Sequence, residues 1–168
     1  MRRRFAAPWA TSLKVISILS SVVLLAILWL IPIPDEAGLG LEVPVRVLPV
    51  VILGACALFT VRGYEVDGRV LRVQRLFWFT RIPLGSLTGA EWRKGSFAPA
   101  WRTCGNGGLF SFSGWFHQKS IGTFRALATS VSDAVILSFS DRKPIVVTPD
   151  DPAGFVEAVR AAGCERQS

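Results

Sequence analysis

The sequence predicts a transmembrane α-hairpin followed by an all-β barrel or sandwich of about seven antiparallel strands with one C-terminal helix. Two long apolar runs occupy most of the first 61 residues, and short alternating segments separated by turn residues follow from Arg62 onward. A helix start rich in proline and aspartate stands near the C-terminus. We therefore expect a basic cytoplasmic lead-in over residues 1–14, a membrane hairpin over 15–61 and a cytoplasmic domain over 62–168.

The first apolar run, Val15 to Ile33, contains no charged residue. At 1.5 Å per residue, a helix of this length covers roughly 28 Å, close to the hydrocarbon thickness of a bilayer. A secretory signal peptide is the alternative interpretation. It is disfavoured because the apolar stretch is longer than about 15 residues and Pro32-Ile-Pro-Asp-Glu36 follows it instead of a small-residue cleavage site.

The second run, Val43 to Val61, contains Arg46 near its start and Pro49 in what we predict to be its first turns. An arginine near the end of a span extends its guanidinium to the headgroups, and a proline in a first turn removes a donor that has no partner there. We expect a second transmembrane helix. A buried helix of a soluble protein is the alternative.

The net charge of +7 is unevenly distributed along the chain. Arg2, Arg3, Arg4 and Lys14 precede the first run, and acidic residues stand in the connection between the runs. Because positive residues are retained on the cytoplasmic side, we expect both termini inside the cell. The lead-in, which also carries Phe5 and Trp9, is predicted to anchor the chain at the inner interface through anionic lipids.

The residues from 62 onward alternate between apolar and polar side chains, which is typical of strands. Tyr64–Val66 and Val70–Arg75 flank Asp67-Gly68, which predicts a hairpin with a type I′ turn. Further strands are expected at the following segments: Leu76–Ile82, Leu87–Trp92, Thr123–Thr129, Ala134–Phe139 and Ile145–Val147.

Residues 93–120 break this pattern, because glycines there alternate with large aromatic residues. Two interpretations remain open: the aromatic side chains fill the end of an open barrel, or they lie in a membrane interface. The aromatic residues are Phe97, Trp101, Phe110, Phe112, Trp115 and Phe116.

A final helix is predicted from Pro152 to about Ala162. Asp150 or Asp151 is the expected N-cap, and Pro152 suits the first helical position. Phe155, Val156, Val159 and Ala162 share one face, so the helix should close one end of the sheet.

Four segments in order carry a resemblance: Gly107–Phe116, Gly122–Thr129, Asp133–Leu137 and Pro149–Phe155. They resemble the motifs of bacterial PH-domain membrane proteins, a family with a short N-terminal membrane hairpin and a PH-like (pleckstrin-homology-like) domain. The resemblance covers roughly residues 62–163 and implies a PH-like barrel or sandwich in a bacterial plasma membrane. It implies no reaction, cofactor or catalytic residue. The long basic loop with which eukaryotic PH domains bind phosphoinositides is replaced here by Asp67-Gly68.

Catalytic and metal sites have little support in the sequence. Three dispersed cysteines form no C-x-x-C pair, and His117 is the single histidine. His117 could act only with Ser111, Ser113 or Cys104, and nothing places a carboxylate beside them. The Asp150-Asp151 pair has a capping role available, and Gly105–Gly108 lacks the ending of a phosphate-binding loop. We therefore expect no enzyme activity, no cofactor and no metal.

The best candidate for a functional surface is basic and aromatic. The basic set could equally be a solvated sheet face, and it comprises Arg69, Arg72, Arg75, Arg81, Arg93, Lys94 and Arg102. The predicted membrane or partner surface comprises Arg93, Lys94, Trp101, Arg102, Phe110, Phe112, Trp115 and Phe116. We expect the domain to bind anionic lipid headgroups or a partner protein at the bilayer, but not nucleic acid. A sensor or assembly subunit that contacts other membrane proteins through residues 93–120 is the alternative.

Overall fold

The computed structural model of the protein describes residues 2–30, 38–94, 101–107 and 109–164, and at 38–45, 101–107 and 164 only their backbone. Two helices lie in the chain between the first strand and the rest of the domain, which contains two sheets and a third helix. Six strands and one helix of the domain lie close to the positions that the residue pattern predicts. The main differences concern the chain start, one strand direction and residues 93–120.

Helix α1 spans Thr11–Leu30 and helix α2 spans Gly38–Leu58, and the two helices contact each other. Helix α1 is long and apolar enough to cross a membrane, and most of its large apolar side chains are exposed. This helix begins four residues before the predicted span Val15–Ile33, and residues 31–37 lie outside the described part.

The second predicted span is not confirmed. In α2 the apolar part with described side chains, Arg46–Leu58, is shorter than a full membrane crossing. Pro49 lies in the interior of α2 instead of its first turn, because the helix begins at Gly38 and not near Val43. A hairpin that crosses the membrane twice thus remains a prediction.

The first sheet has four antiparallel strands in the order β1-β2-β3-β4. Its strand β1 corrects the prediction for the chain start, because residues 2–6 pair with β2 from Arg2↔Asp67 to Ala6↔Gly63 and are part of the domain. The amide of Asp150 also donates to the carbonyl of Ala6 at 3.0 Å. The strands are β1 Arg2–Ala6, β2 Gly63–Asp67, β3 Val70–Gln74 and β4 Phe79–Pro83.

Two turns in this sheet differ from the prediction. Asp67 pairs with Val70, so the central turn residues are Gly68 and Arg69. Gly68 has φ of 52° and Arg69 has a negative φ, which fits a type II′ turn rather than type I′. The predicted strand Leu76–Ile82 begins later, at Phe79, because Arg75 to Trp78 turn the chain back.

The second sheet has six strands in the order β5-β9-β10-β8-β7-β6. Strand β10 is antiparallel to β9 and parallel to β8, so the predicted all-antiparallel arrangement of about seven strands is wrong in one pairing and in number. Two strands also replace much of the irregular 93–120 segment. The strands are β5 Leu87–Arg93, β6 Trp101–Gly107, β7 Phe112–Gln118, β8 Gly122–Ala128, β9 Ala134–Phe139 and β10 Ile145–Val147.

Helix α3, Pro152–Cys164, packs on β5, β2 and β9. Asp151 is its N-cap, because its Oδ1 accepts the amide of Gly154 at 3.0 Å. Phe155 is buried and makes an edge-to-face contact with Tyr64, whose ring lies 5.8 Å away. The prediction that the apolar face of this helix packs against the sheet is confirmed at Phe155.

Tyr64 joins the two sheets from the centre of the core. Its hydroxyl donates to the carbonyl of Leu127 at 2.7 Å and accepts the amide of Thr148 at 3.1 Å. Complete burial raises the pKa of Tyr64 to about 12, so the hydroxyl keeps its proton and remains a donor.

Candidate functional site

The helices are attached to the domain through a set of polar contacts that we call the helix–domain junction: Ser17, Phe59, Arg75, Phe110, Ser111 and Ser113. Arg75 follows β3 and is 7% exposed. One of its terminal nitrogens, Nη1, donates to the carbonyl of Phe59, the residue after α2. Its Nε donates to Thr80 Oγ1 at 2.9 Å. A cation here is favourable because the last carbonyls of a helix lack partners within the helix and carry partial negative charge.

Two serines of the domain reach the same helix end. Ser111 Oγ lies 3.3 Å from the Phe59 carbonyl and 3.2 Å from Ser113 Oγ, which is itself 3.4 Å from Arg75 Nη1. The Phe59 carbonyl therefore has donors from both sheets. Burial, reinforced by nearby Arg125, lowers the pKa of Arg75, but a guanidinium stays charged at any physiological pH.

Helix α1 contacts the domain through Phe110, the residue before Ser111. Its amide donates to Ser17 Oγ at 2.9 Å, and its ring lies 6.2 Å from that of Trp9. Phe110 has φ of 65°, which residues other than glycine adopt rarely. The amide of Ala10 also donates to the Thr129 carbonyl at 3.3 Å. Both helices are thus attached to the domain at the ends nearest to it.

An apolar turn lies beside the junction, and we call residues 76–79 the aromatic turn. Leu76, Phe77, Trp78 and Phe79 are 38, 78, 36 and 53% exposed. The Trp78 ring makes an edge-to-face contact with the Phe59 ring at 5.3 Å. The predicted strand Leu76–Ile82 includes these residues. Four consecutive large apolar residues depart from the alternation of a half-buried strand, and this departure is the feature of the sequence that distinguishes them from the rest of the predicted strand.

The predicted aromatic residues divide between core and surface. Phe116 is buried and stacks on Phe124 at 6.1 Å, and Phe112 packs against the same apolar cluster. Trp115 points to the opposite face of β7, is 40% exposed and lies under the ammonium of Lys143 at 5.6 Å. Phe110 belongs to the junction. Trp101 and Arg102 lie in β6, where only the backbone is described.

The predicted basic residues do not form one patch. Arg93 pairs with Glu91 at 2.9 Å, and the Lys94 ammonium lies 5.0 Å from the Trp92 ring centroid at the β5 edge. Strands β9, β10 and β8 separate this edge from Trp115. Arg72 is occupied with carboxylates of β2, and Arg75 is buried in the junction. A membrane or partner role for the predicted surface therefore remains a prediction.

A second cluster of charges lies on the outer face of the first sheet. The side chain of Glu65 is fully buried beneath Arg2, Arg4 and Arg72, with N–O distances of 2.8, 3.0 and 3.3 Å. The hydrogen bond from Arg2, with that from Arg4 and the charges of both, lowers the pKa of the Glu65 carboxyl. Sequence reasoning missed this cluster because 63 and 61 residues separate Arg2 and Arg4 from Glu65.

The residues weighed for catalysis and metal binding have structural partners. His117 Nδ1 lies 3.1 Å from Thr123 Oγ1 on the surface. His117 lies four positions after Ser113 along β7, about 13 Å away, which is too far for a base and its nucleophile. The described residues contain no group of three side chains suited to hold a metal ion.

The family model for the bacterial PH domain matches residues 62–162, which cover both sheets except β1 and nearly all of α3. The chain belongs to the bacterial PH domain family. No curated protein matches the chain, and no solved structure matches it. In this bacterial PH domain protein, strand β1 lies outside the matched residues. It precedes both helices in the chain and adds a fourth strand to the first sheet by pairing with β2.

Proposed function

We propose that this protein is a non-enzymatic integral membrane protein that presents its PH-like domain at the cytoplasmic face of a bacterial plasma membrane. There the domain binds a partner protein or anionic lipid. The observation that carries the proposal is the helix–domain junction, which fixes a long apolar helix to the domain instead of leaving it on a free linker. A PH domain held in this way presents one constant face to the bilayer.

The geometry of the junction supports a hairpin with both termini on one side. The start of α1 contacts the domain through Ala10 and Ser17, and the end of α2 contacts it through Phe59. Because α1 and α2 also contact each other, their far ends lie together, away from the domain. The distribution of positive charge then favours the cytoplasm for the domain.

The exposed surface of the helices supports a lipid environment. Ile18, Leu19 and Val22 on α1 and Leu48, Val50 and Val51 on α2 are all exposed. Contiguous apolar surface of this extent is rare on soluble monomers and is typical of residues that face lipid or a partner.

The absence of enzymatic activity is proposed on two grounds. PH domains are in general interaction modules, although a fold alone does not determine function. The only histidine, His117, is on the surface and away from both junction serines.

Trp115 supports the alternative function, a sensor or assembly subunit that contacts another membrane protein through residues 93–120. It is 40% exposed on a sheet whose other apolar residues are mostly buried. The rest of the stretch supports this alternative less, because Phe116 and Phe112 pack inside the domain.

Membrane integration is tested by alkaline carbonate extraction of cells that express the full chain. We expect the protein to stay in the membrane pellet and to leave it only with detergent. A protein that appears in the carbonate supernatant would contradict the proposed function.

The choice between lipid and protein is tested by photo-crosslinking in native membranes. A photoreactive phenylalanine replaces Trp115, and the same group at the exposed α3 residue Ala161 is the control. A protein adduct specific to position 115 supports a partner protein. A lipid adduct that decreases at high salt, and also after Lys143→Ala, which removes the cation beside position 115, supports anionic lipid.

A further inference from the structure

The aromatic turn is unusual for a hairpin connection. Turns between antiparallel strands usually carry glycine, asparagine or aspartate, which tolerate the backbone and interact with water. Here the amide of Arg75 donates to the carbonyl of Trp78 at 2.9 Å and closes a turn whose side chains are apolar. Phe77 at its tip is 78% exposed. Exposure of such residues to water is unfavourable by about 25 cal/mol per Å² of apolar surface.

The position of the turn identifies what it contacts. Trp78 packs on Phe59, which directly follows α2 and is itself half exposed. The exposed apolar surface therefore continues from the helix end onto the turn without a polar break at these two residues. In a hairpin with the domain in the cytoplasm, the end of α2 lies at the inner membrane interface, and the aromatic turn lies at the same level.

The turn is also rigid and flanked by positive charge. Arg75 fixes its base through hydrogen bonds to Phe59 and Thr80. Arg81 lies two residues beyond Phe79 on the same outer face of β4, next to Arg72 across the strand pair. Aromatic residues with arginines just behind them are typical of segments that enter the interface while cations remain among the phosphates.

We propose that the aromatic turn inserts into the interfacial region of the cytoplasmic leaflet, with Phe77 deepest and Arg81 at the level of the headgroups. The ligand is the lipid surface itself. This insertion, together with the junction, sets the height and tilt of the domain relative to the bilayer. The inference rests on the proposed function, since it requires α2 to end at the membrane.

The test uses the full chain with Cys56→Ala, Cys104→Ser and Cys164→Ser, carrying one nitroxide label at a new cysteine. Phe77→Cys reports on the turn, and Arg69→Cys is the matched control. Arg69 is an exposed turn residue at the other end of the same strands, about 17 Å away. Val22→Cys in α1 reports on membrane insertion of the helices. The protein is reconstituted in vesicles of phosphatidylcholine and phosphatidylglycerol.

Collision rates with oxygen and with a water-soluble nickel chelate give the depth of each label. At positions 77 and 22 we expect the collision rate with oxygen to exceed that with the nickel chelate. At position 69 we expect the collision rate with the nickel chelate to be the higher one. A higher collision rate with the nickel chelate at position 77, together with a higher rate with oxygen at position 22, would overturn the inference. The proposed function would remain intact in that case, because the helices would still lie in the bilayer. A higher collision rate with the nickel chelate at both position 77 and position 22 would overturn the proposed function as well.

Discussion

Glu65 illustrates how one residue fixes a strand that is distant in the chain. Its side chain is inaccessible to solvent although it lies on the outer face of a sheet, because arginines of β1 and β3 cover it. Each arginine keeps part of its side chain in water, so the cost of burying charge falls mainly on the carboxylate. Three charge-assisted hydrogen bonds offset that cost.

Substitution of this carboxylate should loosen β1. We expect Glu65→Gln to reduce the free energy of unfolding by about 1 to 2 kcal/mol, since neutral hydrogen bonds replace charged ones. Glu91→Gln is the control, because Glu91 also accepts two hydrogen bonds from an arginine but is largely exposed. Thermal unfolding in detergent measures both variants. Equal effects would contradict the role assigned to burial.

The same group gives a pH dependence. The pKa of Glu65 is lower in the folded protein than its ordinary value of 4.5, so its contribution is complete above that value. Stability is lost as the pH falls from about 4.5 through the lower folded pKa. In an acid titration, wild type should lose more stability than Glu65→Gln over this range. Parallel curves would contradict the prediction.

Arg75 is the corresponding residue of the junction. Arg75→Met should lower stability by about 2 to 3 kcal/mol, because charge-assisted hydrogen bonds to Phe59 and Thr80 are lost and the shape is roughly kept. Arg81→Met is the control, since that exposed arginine should change stability by less than about 0.5 kcal/mol. Protease sensitivity of the Phe59–Arg62 segment should increase only in the Arg75 variant.

At the scale of elements, β1 depends on a close backbone approach. A Cβ at Gly63 would lie 3.0 Å from the carbonyl oxygen of Phe5, whereas a Cβ at Gly89 in β5 would meet nothing within 4 Å. We expect Gly63→Ala to speed amide hydrogen exchange in β1 and β2. Gly89→Ala should leave amide exchange unchanged. It could also raise the free energy of unfolding by up to about 1 kcal/mol, because alanine reduces the conformational entropy of the unfolded chain. Slowed exchange in Gly63→Ala would show that the strand adapts.

The elements that the sequence predicted well are those defined by local pattern. Strands Ala134–Phe139 and Ile145–Val147 and the start of α3 at Pro152 match the expected bounds, because burial on one or both faces and capping are readable within a few residues. The parallel pairing of β10 with β8 is not readable in this way. It depends on which strand of the sheet lies nearest in space, not on the residues of β10.

Strand β1 and the aromatic turn were missed for related reasons. Arg2–Ala6 is basic, short and far from its partner in the chain, so its pairing through Glu65 has no local signal. Leu76 to Phe79 has the composition of a strand but lacks its alternation, and the hydrogen bond from the Arg75 amide to the Trp78 carbonyl closes a turn there. The sequence left open whether the aromatic residues of 93–120 are buried or lie at a membrane interface. It therefore could not separate Trp115, which is 40% exposed, from buried Phe116 one residue later.

At the scale of the whole molecule, the two helices have nearly equal lengths but different charges. The 20 residues of α1 and the 21 residues of α2 each cover about 30 Å. The sequence of α2 contains Glu42 and Arg46, whereas α1 contains only Lys14 near its start. A second crossing therefore requires these charges of α2 to lie near the headgroups, which Arg46 can reach with its long side chain.

Topology reporters decide whether α2 crosses. We expect a reporter active only outside the cytoplasm to be inactive when fused after Ser168 and active when inserted within the connection 32–37. A fluorescent reporter that folds only in the cytoplasm should give the opposite pattern. If the C-terminal fusion is active outside, the hairpin is inverted, because β1 and β2 pair across the two helices and must lie on the same side of the membrane. The domain, including the aromatic turn, then faces the other leaflet. If both fusions behave as cytoplasmic, neither helix crosses, and the exposed apolar surface of α1 must be covered by protein instead of lipid.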